Sequence, residues 1–174
     1  MSDAMYSTPI YQDYASIRKH ASSYVIVLEQ DDDAVLQQIY AQFSPDASYS
    51  ILIASSTDLQ GWEQVKNALS QYLAQVKAGV HTVVVGSEAF IWQIQQTLTA
   101  QGCMHDEYSL IRSASKQKAV YCVHCSHQQM TQATEFCHCE ACGVYLLIRS
   151  HFSERLGAYM GVCANAHQPM GETV

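Results

Sequence analysis

Two cysteine pairs constrain this chain more tightly than any other feature. Cys122-Val-His-Cys125 and Cys139-Glu-Ala-Cys142 are CxxC pairs with 13 residues between them. Two such pairs at that distance predict a tetrahedral four-sulfur site, because each forms a tight knuckle that presents two thiolates to one ion. Gly143 directly follows the second pair, where it permits the left-handed backbone that turns amide N–H groups back toward the sulfurs. Ser126 follows the first pair and must reach a similar turn at some cost. The runs Lys118-Ala-Val-Tyr121 and Val144-Tyr-Leu-Leu-Ile-Arg149 read as strands flanking the knuckles, so the expectation is a small zinc ribbon closed by a structural ion.

Other uses of these side chains stay open. Seven cysteines cannot all pair, and a reducing compartment disfavours a disulfide network. A rubredoxin-like iron centre shares the four-cysteine chemistry and ranks second to zinc. Cys137 could replace Cys139, but Cys137-x4-Cys142 would loosen the knuckle. His124, His127 and His138 sit in or beside the knuckles, where side chains usually face solvent or support a ligand from behind. Cys103 and Cys163 read as small buried residues.

The chain changes character near residue 114. Residues 1–114 hold 5 basic and 12 acidic side chains, residues 115–174 hold 4 of each, and the formal net charge is −7. Neither part offers the basic surface that supplies most nucleic-acid affinity. No apolar run reaches the roughly 18 residues that would cross a membrane. The opening residues MSDAMYSTPIYQDY carry no secretion signal, so a cytoplasmic location is expected.

Before residue 114, apolar runs alternate with helix-period segments. SYVIVL (23–28), YSILIA (49–54), HTVVVGS (81–87) and EYSLIRS (107–113) read as strands. Between them, Asp31 to Asp33 open a helix carrying Leu36 and Ile39, Trp62 to Val76 line a second, and Ser87 caps a third that ends at Gly102. Parallel neighbours need crossover connections, so residues 1–114 are expected to form a three-layer, Rossmann-like α/β domain, followed by the ribbon at 115–174.

Residues 81–110 resemble the end of the NAD(P)-binding domain of ferredoxin reductase-type flavoproteins. Val85-Gly86-Ser87, Phe90 and Gly102 match in place, and Glu107 matches the acidic position. Val85 stands where that family has a cysteine, and a glycine-rich phosphate loop is missing. After the first strand the chain instead has Glu29-Gln30-Asp31-Asp32-Asp33, which would repel an anion. A reductase-like fold without a dinucleotide site is expected, with no NAD(P) or flavin bound by this chain.

Downstream of the last knuckle the chain reads GVYLLIRSHFSERLGAYMGVCANA. With the CxxC…CxxCG pattern, this resembles the small zinc-ribbon subunit of bacterial dimethylamine monooxygenase over residues 120–164. The resemblance implies a non-catalytic subunit of a multicomponent NADPH-dependent oxygenase that demethylates dimethylamine, with haem, flavin and iron–sulfur centres in partner subunits. On that reading the metal ligands are Cys122, Cys125, Cys139 and Cys142. The candidate partner contacts are His151, Phe152, Arg155, Leu156, Tyr159 and Met160, with Ser153 capping a short helix that opens at Glu154. Two other functions are weighed: a redox module working through sulfur-bound iron or presenting a nucleotide to a partner, and a stand-alone zinc-ribbon binding protein.

Overall fold

A computed structural model describes residues 9–57, 59–76 and 79–165. The chain divides into two units, one spanning Tyr11–Ser115 and the other containing the segment from Lys116 onward.

In the first unit four strands, β1 (Ser23–Leu28), β2 (Tyr49–Ile53), β3 (Val80–Gly86) and β4 (Tyr108–Arg112), form a sheet in the order β2-β1-β3-β4. Every neighbouring pair is parallel. Three helices make the crossovers: α1 (Asp33–Tyr40), α2 (Leu59–Leu73) and α3 (Glu88–Ala100). The starts of α1 and α3 follow from sequence chemistry. Asp32 caps α1, its carboxylate accepting from the N–H groups of Ala34 and Val35 at 2.9 and 3.2 Å, and Ser87 caps α3 through Phe90 N–H.

Strands buried on both faces explain the unbroken apolar runs. Tyr24, Ile26 and Leu28 of β1 pack with Val83, Val85 and Ile111 against Leu36 and Ile39 of α1. The alternate residues Val25, Val27 and Val84 are equally buried and point to the opposite face. That face is covered by α2 and α3, which pack on each other and on β2, β3 and β4, with Trp62 edge-on to Phe90 at 5.7 Å. The unit is therefore three-layered α/β with a parallel sheet. The outer edge of β4 is covered by the segment before β1, where Gln12 N–H donates to Leu110 C=O at 2.8 Å.

The second unit is a five-stranded sheet in the order β6-β5-β9-β8-β7, formed by β5 (Lys118–Cys122), β6 (Gln128–Thr131), β7 (Phe136–His138), β8 (Tyr145–Ser153) and β9 (Ala158–Cys163). Its small core contains Val120, Cys122, Cys139, Val144, Leu146 and Ile148. Two of those six are cysteines of the CxxC pairs. The core and the candidate metal site are thus the same structure.

One local expectation is corrected. Glu154 does not open a helix; residues Glu154–Gly157 form the turn of the β8–β9 hairpin. Ser153 Oγ accepts from Leu156 N–H at 3.3 Å. A serine followed by Glu-Arg-Leu carries the same capping chemistry in a turn as in a helix, and Gly157 ends the segment too soon for a second helical turn.

Candidate metal centre

The two knuckles are built alike. In the first, Cys122 N–H donates to His127 C=O and Ser126 N–H donates to Cys122 C=O, both at 2.8 Å. In the second, Cys139 N–H donates to Val144 C=O and Gly143 N–H to Cys139 C=O, both at 2.9 Å. Each loop therefore leaves its strand, reverses over the same number of residues and returns through a left-handed position. Those positions are Ser126, with φ of 63°, and Gly143, with φ of 72°. The sequence points to both turns, and Ser126 bears the conformational cost that Gly143 avoids.

This geometry brings together Cys122, Cys125, Cys139 and Cys142, whose sulfurs all lie within 4.8 Å of one another. Cys122 Sγ is 3.8 Å from Cys142 Sγ, and Cys125 Sγ is 3.6 Å from Cys139 Sγ. A tetrahedron with metal–sulfur bonds of about 2.3 Å has edges of about 3.8 Å. The spacing suits a shared ion and is far too long for disulfides.

Backbone donors prepare the sulfurs for charge. Cys122 Sγ accepts from the N–H groups of His124 and Cys125, and Cys139 Sγ from those of Ala141 and Cys142. At Cys139 burial opposes ionisation, but these two N–H groups and the thiols of Cys125 and Cys142 outweigh it and hold the thiol down to about 7. At Cys125 the His127 N–H favours the thiolate, yet burial and the three neighbouring thiols push it up to about 12. Burial raises Cys122 as well. Without a cation the cluster favours a thiolate at Cys139, into which neighbouring thiols donate. A divalent ion replaces those protons and satisfies all four sulfurs together. Four soft donors exclude a calcium or magnesium preference and fit zinc or iron. The residues present fit a structural metal, and four thiolates close its coordination shell, so the ion would supply cross-linking and no open position for substrate.

The other candidates lie apart from this group. Cys137 projects from β7 beside Gln129, whose Nε2 lies 3.8 Å from its Sγ. His138 is exposed and tilts over Tyr145 with ring centres 4.9 Å apart; His124 is exposed and His127 half-buried. Cys103 and Cys163 are half-buried. Of the six residues named as partner contacts, His151 and Arg155 are exposed and Leu156, Tyr159 and Met160 half-buried. Phe152 is 2% exposed and stacks edge-on to Tyr159, so it is a buried support and not a surface anchor; β8 shifts register between Ile148 and Phe152, and Phe152 is buried again after three exposed residues.

Sequence reasoning missed Gln129. Its buried amide donates to His138 C=O at 2.7 Å and accepts from Glu140 N–H at 2.8 Å. It ties β6 to the backbone on both sides of Cys139 and so positions that cysteine without joining the four-sulfur group. A glutamine in the run Gln128-Gln129-Met130 offers no sequence signal for this. Only the β5–β6 register, which aligns Gln129 with Val120, reveals it.

A known family matches this region. The family described as dimethylamine monooxygenase subunit DmmA-like, C-terminal domain, matches residues 119–162. The "heme-dependent oxidative N-demethylase delta subunit" of Ectopseudomonas mendocina (strain ymp) is 41% identical over 101 residues, which cover 58% of this chain and 58% of that relative. No solved structure matches. The matched family segment begins in β5 and ends in β9, enclosing both knuckles and the strands that hold them. The resemblance read from the cysteine pairs and the segment after them is thereby shown: this chain resembles the DmmA-like family, through a DmmA-like C-terminal domain at residues 119–162.

Proposed function

We propose that this chain is an accessory subunit, not catalytic alone, of a multicomponent NADPH-dependent monooxygenase that demethylates dimethylamine. The observation that carries the proposal is the pair of equivalent knuckles within the segment similar to the DmmA-like domain. A closed four-thiolate zinc site cross-links strands and leaves no position for substrate. Its contribution would be a rigid zinc ribbon whose surface docks partner subunits, and those partners would carry the haem, flavin and iron–sulfur chemistry. The identity to a delta subunit of a haem-dependent N-demethylase supports a place in such an assembly. Docking would use His151, Arg155, Leu156, Tyr159 and Met160, with Phe152 holding Tyr159 from below. The α/β unit would be Rossmann-like, and the domain division falls near residue 115. The protein would work in the cytoplasm, without nucleic acid; among the described residues no helix is long and apolar enough to cross a membrane.

One observation favours a second reading. Cys125 is exposed and Cys142 half-buried, so a sulfur-bound iron would lie near the surface, within reach of an electron-transfer partner. Metal analysis of protein isolated from its native cell separates the two. One equivalent of zinc and a colourless solution support the accessory role, whereas one equivalent of iron with visible thiolate-to-iron absorption replaces it with the redox module.

A further inference from the structure

The α/β unit has a ligand position by topology. Its chain runs from β1 outward to β2 and then back past β1 to β3, so the order reverses between β1 and β3. Ligands of open parallel sheets bind at that reversal, beyond the carboxyl ends of the strands, and their phosphates sit on the N-terminus of the following helix. Here the position is bounded by Leu28 at the end of β1 with Glu29 after it, and by Gly86 at the end of β3 with Ser87 and α3 after it.

The chain's own Glu29 lies there. Its carboxylate accepts from Ser87 N–H at 2.5 Å and from Ser87 Oγ–H at 2.8 Å, and the residue is only 6% exposed. An amide and a hydroxyl of one N-cap residue grasping two oxygens of an anion is the arrangement a phosphate would meet. Gly86 makes the approach possible. A Cβ there would lie 2.5 Å from Phe90 Cδ1 and 2.8 Å from Glu29 Cβ, so a side chain at this position would force Phe90 or Glu29 to move. Next to it, buried Glu88 accepts from Tyr11 O–H at 2.5 Å and lies 3.6 Å from Arg112 Nη1. Trp92 Nε1–H donates to the same tyrosine oxygen at 2.9 Å.

We infer that Glu29 is a built-in anion filling the phosphate position of this unit, so that the fold's dinucleotide crevice is closed from within. The residues do not fit NAD(P): a pyrophosphate would have to displace a buried carboxylate from Ser87 and enter beside a second acid, Glu88. The role of the glycine after β3 is accordingly inverted, since it admits Glu29 where a cofactor's phosphate would otherwise approach.

The test uses the full-length, metal-loaded protein as wild type, Glu29→Ser and Glu29→Gln, titrated with NADPH and with inorganic pyrophosphate and followed by calorimetry and melting temperature. The wild type should show no saturable NADPH binding and no pyrophosphate-dependent shift. Glu29→Ser vacates the anion position, and millimolar pyrophosphate should bind saturably and raise its melting temperature by about 5 °C. Glu29→Gln retains the shape without the charge; it should melt about 5 °C below wild type and stay indifferent to pyrophosphate. Micromolar NADPH binding to the wild type overturns the inference, as does a folded Glu29→Ser protein unresponsive to pyrophosphate. If Glu29→Ser does not fold, Glu29→Gln decides: wild-type stability there contradicts the role of the charge. Because the readout is pyrophosphate binding with metal in place, its failure leaves the accessory role of the cysteine site standing, and the converse holds.

Discussion

Exchanging the residues at the two left-handed positions tests whether the knuckles are equivalent. Gly143 has φ of 72°, and an added Cβ would meet nothing within 4 Å. Gly143→Ala therefore carries no steric clash, only the conformational cost of a side chain in the left-handed region, about 1–2 kcal/mol. Ser126, at φ of 63°, already bears that cost. Ser126→Gly relieves it but raises the entropy of the unfolded chain by about 0.5–1 kcal/mol, for a net change between about 0 and +1.5 kcal/mol. Because metal binding and folding of this unit are coupled, these energies should appear as metal affinity: about 5- to 30-fold weaker for Gly143→Ala, and equal or up to about 13-fold tighter for Ser126→Gly. Competition against a calibrated zinc chelator measures both. Wild-type affinity in Gly143→Ala, or weaker binding by Ser126→Gly than by Gly143→Ala, would rule out equivalent knuckles.

Three further outcomes are expected. Gln129→Leu should cost about 1–3 kcal/mol, because it removes the partner of both His138 C=O and Glu140 N–H; chemical denaturation of the holo protein measures this, and chelator competition should show weaker metal binding with the four cysteines intact. Cys139 is held down to about 7, a depressed value whose stabilising effect is present at higher pH and lost as pH falls through 7. Zinc affinity measured by chelator competition should therefore fall as pH is lowered from about 9 through 7, because protons compete for the sulfurs. Buried His81 bonds Ser109 Oγ through Nε2 at 2.9 Å, and burial, then Arg18, lowers it from 6.5 to about 4. The unfolded chain takes up that proton first, so the α/β unit should be fully stable above pH 6.5 and lose stability between 6.5 and 4. His81→Gln should flatten urea midpoints across that window.

Local rules carried the sequence reading furthest where chemistry is short-range. The caps at Asp32 and Ser87, the alternation of strands and helices, and the two left-handed turns each depend on a few adjacent residues. Long-range pairings were not legible. The parallel β5–β9 pair joins Val120 to Tyr159, and nothing in either segment names the other. The HFSERLGAYMG segment satisfies helical capping and hairpin chemistry equally, and the strand partner available to Ala158–Cys163 decides between them. Glu29 was legible as hostile to phosphate, but only the fold shows its carboxylate bonded to Ser87, the contact on which the inferred phosphate mimicry rests.

On the proposed function, a metal-held C-terminal domain docks this chain onto catalytic partners. Affinity isolation of the tagged chain from its native cell, with haem absorbance and subunit mass spectrometry on the eluate, tests it most directly. Wild type should bring down a haem-bearing partner and one equivalent of zinc, and Cys139→Ser should bring down neither. Recovery of the wild-type chain alone, or of a Cys139→Ser chain that has lost metal yet still holds its partner, would contradict the account.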